Sequence, residues 1–122
     1  MNPDSDILKH ADLTHNIIAC CMEVHTILRN GFQEVIYQRA LAIEFDKQTV
    51  PFRREVEMPI FYKELSIGTR RVDFFIEDKV LVEIKAVIQL DDVHLAQALN
   101  YLEAFNHEIG LLINFGSKKP PI

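Results

Sequence analysis

The stretch RVDFFIEDKVLVEIKAV, Arg71–Val87, decides the fold. Seven of its seventeen residues are charged, yet the remainder is almost wholly apolar. Its second half, VLVEIKAV, reads as a buried strand with Glu83 and Lys85 set inside it. Alternate side chains of a strand share a face. Leu81, Glu83 and Lys85 should therefore point one way, and Val80, Val82, Ile84 and Ala86 the other. The two charges are same-face neighbours, roughly 6.6 Å apart along the strand.

Asp73 lies on the preceding strand, and the hairpin register decides whether it meets Glu83. Pairing Ile76 with Val80 leaves Glu77-Asp78-Lys79 as a three-residue loop and sets Asp73 opposite Glu83. A two-residue loop would turn Asp73 to the other face, because a slip of one residue reverses every side chain. The odd-numbered loop is the expectation. Two facing carboxylates in a half-buried sheet repel each other and lose hydration. A divalent cation relieves both, and oxygen ligands of this kind suit Mg²⁺ or Mn²⁺. Lys85 beside them would orient a water or stabilise charge developing on a phosphorane. The competing structural reading is a wet sheet face carrying a cross-strand salt bridge.

Outward from this hairpin, the N-terminal third reads as helical. Leu13, Ile17, Cys21, Val24 and Leu28 recur on one face, with Asp12 or Thr14 as cap and Asn30-Gly31 as the stop. A second helix is expected from Phe32 to about Lys47, apolar on two sides (Phe32, Ile36, Ala40, Ile43 and Tyr37, Leu41, Phe45) and therefore central. Glu34 falls on the second of these stripes, a costly place for a carboxylate unless it is paired or bound to a cation. A plainer reading puts it at the helix start, where the macrodipole favours acid. After Pro51, FRREVEMPIFY reads as an edge strand or a bulge because of Pro59, and KELSIGTR as a turn with a short strand. LDDVHLAQALNYLEAFN is a helix with Asp91 or Asp92 near its start, and IGLLINF a closing strand. The order α-α-β-β-β-α-β makes an α/β fold with helices packed on a mixed sheet. On the last helix His94, Gln97 and Tyr101 share one edge beside Leu95, Leu99 and Leu102. They could hydrogen-bond a phosphate or a metal-bound water, or form a boundary row of half-buried polar groups.

The 122 residues suggest one domain, expected over 12–116, with loose ends at 1–11 and 117–122. The net charge of −5 excludes a basic nucleic-acid coat. Any nucleic-acid contact must be local or helped by cations. Arg53, Arg54, Arg70, Arg71, Lys118 and Lys119 are the candidate grip, against a plain solvated strand surface. No aromatic-basic interleaving is evident, so binding should be weak and salt-sensitive or rely on a protein partner. Cys20 and Cys21 are helix neighbours pointing about 100° apart, with no disulfide framework around them. They read as small core residues in a reducing cytoplasm, not as nucleophiles, since an apolar helix raises a thiol's pKa. The N-terminus is unlike a signal peptide, and no apolar run reaches the ~18 residues of a membrane span.

Four motifs then meet a known pattern. GFQEVIY, Gly31–Tyr37, resembles the motif that names the GxxExxY proteins. RVDFFIEDKVLVEIKAV resembles the D…ExK hairpin of the PD-(D/E)XK nuclease superfamily. HLAQALNY is similar to the QxxxY helix of its exonuclease-like branch, and GLLINFG resembles the closing strand. The resemblance runs from about Leu13 to Gly116 and implies a restriction-endonuclease-like core. It implies Asp73 and Glu83 as metal ligands, Lys85 as catalytic lysine, Glu34 as a further acidic group, and Gln97 and Tyr101 in support; the three acids are expected to converge on one pocket for a divalent ion. Val72 stands where the superfamily's name has proline. The chain is expected to be one strand short of its relatives, an open edge that would allow a second copy to pair as a homodimer. The function so implied is metal-dependent phosphodiester hydrolysis of DNA, with RNA second. The alternative is a nuclease fold kept as a non-catalytic adaptor or regulatory subunit.

Overall fold

The structure, a computed structural model, describes residues 10–104 and 109–118, the side chains of 98 and 100–104 excepted. Its elements are α1 (Ala11–Leu28), α2 (Glu34–Lys47), β1 (Phe52–Tyr62), β2 (Leu65–Ile76), β3 (Val80–Lys85), α3 (Asp92–Ala104) and β4 (Ile109–Asn114). The order is the expected one. The four strands form a single sheet, β1-β2-β3-β4. The first three are antiparallel, and β4 runs parallel to β3 after the α3 crossover. Among the described residues no helix is long and apolar enough to cross a membrane. Residues 1–9, within the segment expected to be loose, lie outside the described residues, but α1 already begins at Ala11.

The helix layer covers one sheet face. Ile17, Cys21 and Val24 of α1 and Tyr37, Leu41 and Phe45 of α2 interlock with Phe74, Ile76, Val80, Val82, Ile84, Ile113 and Phe115. Cys20 and Cys21 are buried in this core as free thiols, and burial pushes Cys21 up to about 12. A smaller cluster, Val72, Phe75 and Leu81, fills the other face.

Four local expectations need correction. α1 starts a turn early, so neither Asp12 nor Thr14 caps it; Thr14 N donates instead to His10 O at 2.9 Å. α2 starts at Glu34, not Phe32, because the Tyr37 hydroxyl accepts from Phe32 N at 3.1 Å and holds that residue outside the helix. Nor is α2 buried on two sides. Tyr37, Leu41 and Phe45 are sealed in, while Phe32 and Ile43 face solvent, because among the described residues no further layer covers that side of α2. KELSIGTR does not form a separate short strand either. Leu65 opens a β2 that runs unbroken to Ile76.

Tyr37 ties the motif GFQEVIY to the far end of the chain. Its hydroxyl donates to Arg29 O at 2.6 Å, and its ring stacks on Phe115 with centroids 4.8 Å apart. At the end of β4, Asn114 Oδ1 accepts from Val87 N at 3.1 Å and Gly116 N at 3.0 Å, and Phe115 N donates to Lys85 O at 2.8 Å. These bonds lock the exit of β3 against the exit of β4. Gly116 is required there: a Cβ would stand 2.3 Å from Val87 O and 2.4 Å from Val87 N, both backbone atoms. Gly116→Ala is accordingly expected to cost roughly 1–3 kcal/mol, as overpacking against atoms that cannot rotate away does; urea denaturation of the variant measures it.

Candidate active site

The hairpin register is the expected one: Ile76 pairs with Val80, Phe75 with Leu81 and Phe74 with Val82. The Glu77-Asp78-Lys79 loop turns through two left-handed residues, φ 50° and 55°, closed by Lys79 N donating to Ile76 O at 2.9 Å. At the next position, Asp73 opposite Glu83, the ladder stops. Asp73 N donates to Glu83 Oε1 at 3.1 Å, and Ile84 N donates to Asp73 Oδ2 at 2.8 Å. The strands part there, and each carboxylate spans the gap to the other strand's backbone.

Side-chain alternation along β2 also breaks here. Val72 joins Phe75 and Leu81, not Phe74. Opposite Asp73, Glu55 of β1 has φ 51°, a left-handed residue inside a strand, which twists the pair. This twist lets Asp73 reach the helix side, where Gln38 Nε2 of α2 donates to its Oδ1 at 3.2 Å. Gln38 Oε1 in turn accepts from Arg54 of β1 at 2.8 Å. Sequence reasoning passed over Gln38. The signal was its position four residues after Glu34, on the same face of α2.

The electrostatics follow from this geometry. Glu83 is buried and pushed up to about 7, by desolvation first and by the Asp73 charge second; the Asp73 amide and Lys85 oppose this. Asp73 is raised by desolvation against its bonds from Ile84 N and Gln38 and the Lys85 charge. Glu34 sits exposed in the first turn of α2, yet partial desolvation raises it too, with Lys85 lowering and Asp73 raising it. Lys85 thus acts on all three acids.

The remaining candidates are distributed unevenly. His94 belongs to the start of α3: Asp91 Oδ1 accepts from Val93 N at 3.0 Å and His94 N at 3.2 Å, while Asp91 N donates to His94 Nδ1 at 3.2 Å. That is a reciprocal cap, which uses the ring structurally while leaving it close enough to lower Glu34. Gln97 is half-buried; the side chain of Tyr101 lies outside the described residues. Leu95 and Leu99 face solvent while His94 and Gln97 are half-buried, so this part of α3 turns its polar edge inward. Of the arginines, Arg53 pairs with Asp78 at 2.6 Å and Arg71 with Glu57 at 3.5 Å, whereas the hydrogen bond of Arg54 goes to a neutral amide. Arg70 is half-buried on β2. A groove of about 570 Å³ between α1 and α2, lined by Asn16, Cys20, Glu23 and Glu44 among others, includes none of the site residues.

A model of the PD-(D/E)XK nuclease superfamily matches residues 11–122, and the chain belongs to that superfamily. No curated protein and no solved structure matches it. Members of the superfamily generally use divalent metals. Two carboxylates of raised proton affinity, Glu83 buried and Asp73 half-buried, have the donor chemistry for a hard cation. The three acids expected to converge do so only in part. Among the described residues, no three His, Cys, Asp or Glu side chains stand close enough together to hold an ion. Asp73 and Glu83 are the nucleus, and Glu34 adds its charge from outside it.

Burial and the Asp73 charge push the Glu83 carboxyl up to about 7 in the folded chain, against its ordinary 4.5 when unfolded. Folding therefore takes up a proton between these values, and stability falls as pH rises through that window. Asp73 adds a loss of the same sign. Glu83→Gln is expected to flatten the dependence and to exceed the wild type at pH 8 by on the order of 1–3 kcal/mol, measured by denaturant titration at pH 5 and pH 8.

Proposed function

We propose that this chain is a metal-dependent nuclease, hydrolysing phosphodiester bonds of DNA, with RNA second, and that it groups with the GxxExxY proteins. The observation that carries the reading is the acid pair of half-buried Asp73 and buried Glu83 under the influence of one lysine, on the D…ExK hairpin of a superfamily member. In this reading Asp73 and Glu83 hold Mg²⁺ or Mn²⁺. The bound ion supplies Lewis-acid polarisation of the phosphate and increases the acidity of a water. Lys85, at the end of β3, stabilises charge developing on the phosphate oxygens. Glu34 takes up a proton from the water, a role its raised proton affinity suits. Gln97 and Tyr101 line the approach from α3. Arg54, Arg70 and Arg71 neutralise flanking phosphates, with weak, salt-sensitive binding or help from a protein partner. A homodimer through the β4 edge of the sheet is a further element of this reading, as is a cytoplasmic location, with which the free thiols of Cys20 and Cys21 agree.

A non-catalytic adaptor is the second reading. The acid pair weighs against it: a scaffold gains nothing from two like charges, one buried and one half-buried, that destabilise it.

Mn²⁺ is expected to raise the melting temperature, more at pH 8 than at pH 6, because binding displaces the Glu83 proton. Asp73→Asn with Glu83→Gln should abolish that shift. Lys85→Ala should keep the shift but lower cleavage of a plasmid or labelled oligonucleotide about 10²-fold or more. A melting temperature indifferent to metal, together with uncut DNA, would overturn the nuclease reading in favour of the adaptor.

A further inference from the structure

The β1–β2 hairpin is far longer than the sheet needs. β3 pairs with β2 only from Phe74 to Ile76, whereas β1 and β2 pair out to Tyr62 and Leu65. From Val56 outward the hairpin is a two-stranded ribbon that runs on for roughly 20 Å. Lys63 and Glu64, φ 47° and 69°, close it in a two-residue turn. Its tip is apolar and uncovered: Phe61, Tyr62, Leu65 and Ile67 are 58%, 60%, 70% and 66% exposed. A bare ribbon is marginal by itself, and an apolar tip on it is a liability without a use.

Charge separates this ribbon from the rest of the chain. Residues 56–72 carry three lysines and arginines, Lys63, Arg70 and Arg71, against two glutamates, Glu57 and Glu64. All other residues together carry ten against sixteen. The arm is thus slightly basic on an otherwise acidic protein, with Arg53 and Arg54 at its root. Its root is wired to the acid pair, since Arg54 donates to Gln38 and Gln38 to Asp73. At its tip Lys63 Nζ stands 5.5 Å from the Tyr62 ring centre, so a cation and an aromatic ring lie together.

The geometry points to this arm as the holder of the nucleic-acid strand, with Phe61 and Tyr62 stacking on unpaired bases and the arm's cations tracking the phosphates. Stacking on aromatic rings beside a cationic track is how single strands are bound without sequence preference. The tip fits that use better than it fits another protein. Phe61 is paired with Ser66 and Tyr62 with Leu65, so the two rings stand on opposite faces and make a wedge, not one continuous apolar surface. Strand addition by a second copy is discouraged as well. Pro59 lacks an N–H on edge strand β1, and Glu55 kinks it. This inference rests on the nuclease reading for the identity of the bound strand.

The test is fluorescence anisotropy with a labelled single-stranded oligonucleotide and its duplex, in EDTA, so that binding is read without cleavage. Wild type should prefer the single strand. Phe61→Ala with Tyr62→Ala should weaken single-strand binding about tenfold or more, while its Mn²⁺ melting shift stays that of wild type. Tyr62→Phe should retain binding, because the ring and not the hydroxyl is used. Unchanged binding in the double variant overturns the proposal. So does equal affinity of wild type for both oligonucleotides, or absence of binding. A dimer by light scattering that the double variant dissolves would make the arm a contact between copies and equally overturn it. Cleavage with unaltered binding in the double variant would sink the arm and spare the nuclease reading; strand binding with no cleavage in Mg²⁺ would do the reverse.

Discussion

Everything around the candidate site depends on one exchange of hydrogen bonds. Where the β2–β3 ladder should continue past Phe74 and Val82, the amides of Asp73 and Ile84 are given to side-chain carboxylates. A charge-assisted bond of this kind contributes about 1.5–3 kcal/mol. Desolvation and mutual repulsion outweigh it, since both carboxyls still rise above their ordinary values. The sheet therefore holds two acids that want a proton or a cation, and it holds them by its own backbone, so their separation is fixed by strand geometry. Local cost at a precise place, accepted by an otherwise consistent fold, is the usual mark of a working site.

The rest of the architecture keeps that place rigid. Tyr37 fastens the loop before α2 and stacks on Phe115, while Asn114 and the cramped Gly116 fix the turn beyond Lys85. His25 Nε2 donates to Ser117 O at 2.9 Å, adding α1 to the same clamp. Glu34 and Gln38 ride on α2, which Leu41 and Phe45 seat on the sheet. Motif residues thus divide the labour. Tyr37 is buried and hydrogen-bonded within the core, while the glutamate three positions before it stays exposed at the start of α2. The Arg54–Gln38–Asp73 relay then joins the outermost strand to the acid pair, which a sheet ladder alone would not do.

How much of this the chain announces depends on the range of the forces involved. The order of elements, the face shared by Ile17, Cys21 and Val24, the three-residue loop and the Asp73–Glu83 juxtaposition follow from side-chain period and turn length, which act between near neighbours. Asp91 as the start of α3 follows likewise from local amide capture. The superfamily was also legible, because its D…ExK spacing is a property of one hairpin.

Other features were settled only in three dimensions. Periodicity shows that α2 has apolar residues on two sides; the packing of the described residues covers one of them and leaves Phe32 and Ile43 in solvent. His94 reads as a supporting group, but its capping bond to Asp91 takes it first. Glu55 carries no hint in its letter of the left-handed backbone that twists β1, and that twist is what brings Asp73 to Gln38. Local patterning determined which residues are neighbours along an element and across one turn. Which acids share a space, which arginines are already spent on acids, and which strand outgrows its sheet were decided by packing among distant segments, because burial and charge depend on everything nearby at once.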